Sequence, residues 1–131
     1  MTAKPLPCPC GGTDYATCCG RYHNGEPAPD ALALMRSRYS AYVLRLEPYL
    51  LATWHPGTRP ASLDLASENA KWLGLEVKDH IPESEQRASV EFVARYKIGG
   101  RAARLHEVSR FVHEDGRWFY LDGEFMNATN D

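Results

Sequence analysis

An α+β fold, with helices first and an antiparallel sheet after them, is predicted for this 131-residue chain by three features of its sequence. Apolar residues recur at three and four over 31–46, they alternate with polar ones from Trp72 onward, and glycine-bearing pairs separate the alternating runs. Helices that precede a run of strands, rather than alternating with them, argue for helices layered on one face of an antiparallel sheet. With 44% hydrophobic residues the chain is about one ordinary domain, and it buries enough core to fold without disulfide staples.

The first element is "CPCGGTDYATCCG", residues 8–20, which holds all 4 cysteines of the chain. Cys8 and Cys10 form C-x-C, seven residues intervene, and Cys18 and Cys19 are adjacent, so four soft donors converge on one tetrahedral ion if the chain reverses between the pairs. Pro9 stiffens the first pair, while Gly11 and Gly12 supply the reversal and let backbone N–H groups approach sulfur. Neighbours on a regular strand point to opposite faces, so Cys18 and Cys19 must sit on a turn or a short helical turn, with Thr13 or Asp14 as its cap and Gly20 as its stop. An all-thiolate set with no open position matches a closed structural zinc site, and four sulfurs also suit iron. Two other uses of these thiols remain open at this point: small-loop disulfides, which need an oxidising compartment, and a redox dithiol, for which the usual C-x-x-C spacing is missing. His23 stands close enough in sequence to replace one cysteine, but with four sulfurs present it reads as a solvated side chain.

After the linker "HNGEPAP" at 23–29, Asp30 is the N-cap of a helix over 31–46 whose apolar positions are Leu32, Met35, Tyr39, Tyr42, Val43 and Leu46. Pro48 suits the first turn of a short second helix through "PYLLATW", ended by "HPGTRP". A third helical piece is expected in "SLDLASENA", residues 62–70. Strands follow near 72–81, 87–98, 103–114 and 117–122, with "GG" at 99–100 and "DG" at 115–116 as hairpin turns.

The charge of -2, from 15 basic and 17 acidic residues without a run of either sign, gives no prompt for nucleic acid. "MTAKPLPCPC" lacks the apolar region of a signal peptide, and no stretch approaches the length of a membrane span, so the expectation is a soluble cytoplasmic protein with no membrane partner.

The cysteine segment is similar to the SEC-C motif, the zinc-binding module found at the C-terminus of the SecA translocation ATPase, through Cys8, Pro9, Cys10, Gly11, Tyr15, Cys18, Cys19 and Gly20. Seven residues separate the cysteine pairs where the SecA form has eight. The segments "LMRSRYSAYV", "YLLATWHP", "WLGLEV", "VEFVARY" and "SRFVHEDGRWFYLDG" resemble the YchJ-like family of uncharacterised bacterial proteins. That resemblance implies a SEC-C zinc-binding motif over 1–25 with one zinc per chain, held by Cys8, Cys10, Cys18 and Cys19, ahead of a nuclear-transport-factor-2-like domain over 30–131. It also implies that the four-stranded sheet is curved into a cystatin-like cone, closed by the helices. The family brings no established activity with it.

A cone has a pocket, and Glu107 shares a strand face with Leu105 and Phe111, so it points toward the helices if they do. A carboxylate there needs a partner, for which Arg36 or Arg38 of the long helix is the natural choice. Glu107 then serves either as one half of a structural ion pair or as a general base. Trp54 and His55 complete the pocket candidates, and Trp72 and Trp118 read as core or pocket wall. Asp122 carries the same ambiguity as His55. Two functions of different class follow: a zinc knuckle that docks an unknown protein partner, or an enzyme or small-ligand binder that uses the conical pocket. The likeness to the SecA module favours the first, and no catalytic residue is assigned.

Overall fold

The computed structural model describes residues 6–63 and 70–126. A 3-10 turn, Tyr15–Thr17, leads into α1, Cys19–His23, followed by α2, Ala31–Leu44, and α3, Glu47–Ala52. The strands are β1, Lys71–Pro82, β2, Arg87–Ile98, β3, Arg101–Glu114, and β4, Arg117–Phe125, in the spatial order β1-β2-β3-β4 with every pair antiparallel. The helix expected over 62–70 lies mostly outside the described residues.

Asp30 caps α2, its Oδ1 accepting from the Ala33 N–H at 2.7 Å. The helix ends at Leu44, two residues earlier than its apolar spacing suggests, because Arg45 adopts a left-handed conformation and the Leu46 N–H turns back to the Ala41 carbonyl at 2.8 Å. The helix is also not a simple one-faced one. Ser37, Ser40 and Ala41 have no exposed surface, and neither does Ala31, so α2 is enclosed on the side away from the sheet as well. Pro48 stands in the first turn of α3, where its missing N–H costs nothing.

Both tight hairpins have positive φ at both central residues, Gly99 and Gly100 in one and Asp115 and Gly116 in the other, the geometry that matches the twist of the flanking strands. The register puts Ala88, Val90, Phe92 and Ala94 of β2 opposite Phe111, Ser109, Glu107 and Leu105 of β3, and this face packs under α2. A register shift between Arg110 and Phe111 inserts an extra residue in β4 and sets Tyr120 opposite Phe111 and Gly123 opposite Ser109. Residues 53–55 then run beside β4, with the His55 N–H on the Tyr120 carbonyl and the Tyr120 N–H on the Thr53 carbonyl, both at 2.8 Å.

One buried cluster joins Cys8, Cys10 and Cys19 to Leu34, Met35 and Tyr39 of α2 and to Val90, Phe92 and Phe111 of the sheet. The cysteine segment is therefore part of the main core. Among the described residues no helix is long and apolar enough to cross a membrane.

Candidate metal centre and conical cavity

The cysteine loop is built by short-range hydrogen bonds. The Cys8 N–H donates to the Gly12 carbonyl and the Gly11 N–H to the Cys8 carbonyl, both at 2.9 Å, which folds Cys8 and Cys10 into one turn. Asp14 Oδ1 accepts from the Ala16 N–H at 3.2 Å and starts the 3-10 turn, so that Cys18 falls at its end and Cys19 opens α1. Both local expectations for the adjacent pair, a helical turn and an Asp14 cap, hold. Gly20 does not stop the helix. It lies inside α1, where glycine is needed because a Cβ would meet the Tyr15 carbonyl oxygen at 2.7 Å. At Gly12 a Cβ would come within 2.8 Å of Cys18 Sγ, so the close approach of this turn to sulfur requires glycine.

The result is four Sγ atoms within 4.8 Å of one another, three of them on buried residues. Tetrahedral coordination with metal–sulfur bonds of about 2.3 Å places sulfurs about 3.8 Å apart, a spacing this cluster accommodates. Cys10 and Cys18 Sγ are 3.5 Å apart. A hydrogen bond from Cys19 draws the Cys10 thiol down to about 4, with the Gly12 N–H and the Cys18 and Cys8 thiols adding to it against desolvation. Burial and the same sulfur contacts push Cys18 up to about 11, and the bond to Cys10 pushes Cys19 up still further. One thiol of the set, Cys10, is held in the anionic range while Cys18 and Cys19 are held neutral, the pattern of sulfurs crowded together without a cation between them, which a divalent ion would relieve. These four cysteines can hold one.

Around the sulfurs stand residues whose roles the sequence did not announce. The buried Ser40 hydroxyl lies 3.5 Å from Cys8 Sγ and reaches Cys19 as well. His23, expected in solvent, is half-buried. Its Nε2 faces the Ser37 carbonyl at 2.8 Å and must carry the proton, so Nδ1 accepts from the Tyr15 hydroxyl at 2.5 Å. The ring also meets Tyr49 edge-on at 4.6 Å, which pins the cysteine segment to α2 and α3.

The second feature is a cavity of about 350 Å³ between α2 and the concave sheet face. Arg38, Trp54, Glu107 and Tyr120 line it, together with Trp72 and Phe92. Glu107 is 8% exposed, and its Oε2 accepts from the Ser109 hydroxyl at 2.7 Å and from the Tyr120 hydroxyl at 3.3 Å. Arg38 is 5% exposed; its Nη1 donates to the Leu50 carbonyl at 2.8 Å and to Thr53 Oγ1 at 2.7 Å. The guanidinium lies over the rings of Trp54 and Tyr120, 5.1 and 4.6 Å from their centroids.

Residues 30–123 match the middle, nuclear-transport-factor-2-like domain of YchJ. This chain belongs to the YchJ-like family. A UPF0225 protein of Methylibium petroleiphilum is 61% identical over 122 residues, covering 92% of this chain and 89% of its own. The solution structure of a SEC-C motif containing protein from Rhodopseudomonas palustris superposes with a TM-score of 0.82 at 36% identity, over 92% of this chain and 99% of that one. The crystal structure of a SEC-C motif containing protein from Psychrobacter arcticus gives 0.79 at 30% identity, over 99% of this chain and 88% of that one.

Within this family member the pocket candidates divide. Arg38, Glu107 and Trp54 meet in the cavity, whereas Arg36 and His55 do not line it. Arg36 extends to the cysteine turn, where Nη1 donates to the Cys10 carbonyl at 3.5 Å. His55 sits at the end of the 53–55 segment, its Nδ1 accepting from the Gly57 N–H and its Nε2 donating to Glu114 Oε1, each at 3.0 Å. Asp122 pairs with Arg110 at 2.6 Å away from the cavity. The arginine–Glu107 ion pair is also absent among the described residues. Arg38 is instead drawn to the Leu50 carbonyl and the Thr53 hydroxyl at the C-terminal end of α3, and Tyr120 touches both charged groups. Tyr120 and Thr53 were missed by sequence reasoning. The only signal for Tyr120 was its place in the alternating run after the Asp115–Gly116 turn.

Proposed function

We propose that Cys8, Cys10, Cys18 and Cys19 hold one zinc ion per chain as a closed structural centre, and that the metal-fixed loop docks a protein partner in the cytoplasm. The observation that carries the metal reading is the convergence of four sulfurs within 4.8 Å, three of them on buried residues. Zinc would supply no reactive position there; it would fix the loop and leave its rim as a recognition surface. Leu6, 72% exposed, lies just ahead of the loop, and a cleft of about 330 Å³ on the loop reaches Cys18 and Cys19 and is lined by Thr13, Asp14, Arg21 and Arg36. An exposed apolar side chain and a cleft of mixed charge on one short segment are suited to a protein surface. The resemblance to the SecA module, which serves in partner docking, supports the same reading.

The test has two parts. Metal analysis of protein prepared without chelator should return one zinc per chain, and four reactive thiols with no stoichiometric metal would refute the centre. Proteins retained by the metal-loaded chain should then be purified and titrated against the wild type, a Leu6→Glu, Arg21→Glu variant that keeps its metal, and the chelated chain. Docking requires a partner whose binding falls in both altered forms. Equal retention by all three would remove it.

A further inference from the structure

The cavity contains two buried charges that the fold only half satisfies. On Glu107, both hydrogen bonds fall on Oε2, and Oε1 accepts from no described residue. On Arg38, both fall on Nη1, and neither Nε nor Nη2 donates to a described residue. Neither side chain forms an ion pair among the described residues, although they are 8% and 5% exposed. Buried charges are normally paired or fully hydrogen-bonded, because leaving a charged group's bonding capacity unused in a low-dielectric site is costly. Here an acceptor and a set of donors remain open to one cavity rather than sealed in the core, since the fully enclosed polar side-chain atoms without a partner among the described residues are Trp54 Nε1 and Trp72 Nε1 on the same wall. Much of the intervening wall is aromatic: Trp54 and Tyr120 flank the guanidinium, and Tyr39, Tyr42, Trp72 and Phe92 also line the cavity.

We propose that this cavity binds a small, flat ring compound that bears an anionic or carbonyl acceptor for Arg38 and a hydroxyl or amine donor for Glu107. At about 350 Å³ the cavity is near the lower limit for ligand sites, which restricts the occupant to one or two rings. Aromatic walls favour a planar body that packs face-on or edge-on. The polar requirement has a sign at each end. An acid without a donor leaves Glu107 facing it as a like charge, and a donor without an acid leaves the guanidinium unfilled. A fully apolar ring satisfies neither group. The selectivity therefore comes from carrying both functions on one ring, as sites built to hydrogen-bond discriminate more sharply than apolar ones.

Three probes separate these cases: 3-hydroxybenzoate, benzoate and phenol, titrated into the full metal-loaded chain to about 10 mM, the range in which fragment-sized ligands bind. The readout is the indole N–H resonances of the 3 tryptophans, of which Trp54 and Trp72 line the cavity and Trp118 serves as the internal control. The expected result is that 3-hydroxybenzoate shifts Trp54 and Trp72 but not Trp118, and binds at least about tenfold more tightly than either half-probe. Glu107→Gln should remove most of that advantage while leaving benzoate bound no more weakly, since a like charge has been taken away. Leu105→Trp, which fills the cavity without touching either charge, should abolish all binding. Unmoved cavity resonances with every probe would mean that water alone occupies the site and would overturn the proposal. So would equal binding of the three probes, or binding that survives Leu105→Trp.

Discussion

Gly123→Ala tests how the Glu107 carboxylate is held. Gly123 lies opposite Ser109 across β3 and β4, and a Cβ added there would fall inside the Glu107 carboxylate, 2.7 Å from its Cδ and 3.1 Å from its Cγ. The carboxylate must move, and the bonds at risk are those from the Ser109 and Tyr120 hydroxyls. Each hydrogen bond to a charged group contributes about 1.5–3 kcal/mol, so losing one or both costs about 1.5–6 kcal/mol. Gly123 is not in the left-handed region, so alanine also returns about 0.4–1 kcal/mol by restricting the unfolded chain. The expected net loss is about 0.5–5.6 kcal/mol. The same substitution in a Glu107→Ala background meets no carboxylate and should be neutral or stabilising by up to about 1 kcal/mol. Urea titrations of the four proteins of this double-mutant cycle measure the difference directly. A loss of the same size in both backgrounds would show that the strand backbone, and not the carboxylate, requires glycine at this position.

Three further outcomes follow from the cysteine side. Chelation of the metal-loaded chain should lower the thermal midpoint of the whole domain and change the near-ultraviolet circular dichroism, because Cys8, Cys10 and Cys19 share a buried cluster with α2 and the sheet; a change confined to the N-terminal residues would contradict that packing. Ser40→Ala should weaken metal binding by about 10–100-fold in a chelator competition, as removal of a group bonded to ligand sulfur does, and unchanged affinity would reduce Ser40 to a spacer. Burial holds the His23 pKa below the usual histidine value of about 6.5, despite the opposing bond to the Ser37 carbonyl. The folded chain thus binds fewer protons there than the unfolded one, so this contribution to stability is complete above about pH 6.5 and is lost as the pH falls through the folded pKa. Wild type should lose more urea resistance than His23→Gln between pH 7.5 and 5.5, both metal-loaded; parallel losses would remove His23 as the cause.

Period and turn chemistry carried most of the fold. The switch from helical spacing to alternation at Trp72, the Asp30 cap and the two positive-φ hairpins all rest on local rules, and local rules are what a single sequence displays. The cysteine set was legible for the same reason, since its spacing forces a turn. What stayed hidden depends on which distant surfaces meet. Ser37 and Ser40 look like solvent positions of an amphipathic helix, yet both are fully buried because the cysteine segment and α3 close over them. Arg36 and Arg38 were offered as equivalent partners for Glu107, although two residues along a helix turn a side chain by about 200°, so one pocket could not take both. Which of them faced it, and that Arg38 would bond to α3 instead of Glu107, required knowing where α3 ends. The extra residue in β4 is equally silent in sequence, and it decides that Tyr120 and Gly123 both face Glu107.

The strip 53–55 alongside β4 has a bearing on how this protein behaves when crowded with copies of itself. A four-stranded open sheet has two outer borders, each a template on which another chain can lay a strand. On the β4 border two of the backbone groups of Tyr120 are already taken by Thr53 and His55, and the aromatic pair Trp54 and Tyr120, 4.9 Å apart, braces that seam. No described residue forms such a cover on the β1 border, which is broken by register shifts near Gly74 and Asp79 and closes on Pro82, which has no N–H to offer. One border is occupied and the other is made irregular, so end-to-end growth of the sheet into fibres is discouraged on both sides. If Thr53–His55 were to peel away, the β4 side would become the sticky one, and slow aggregation under mild denaturant should begin there.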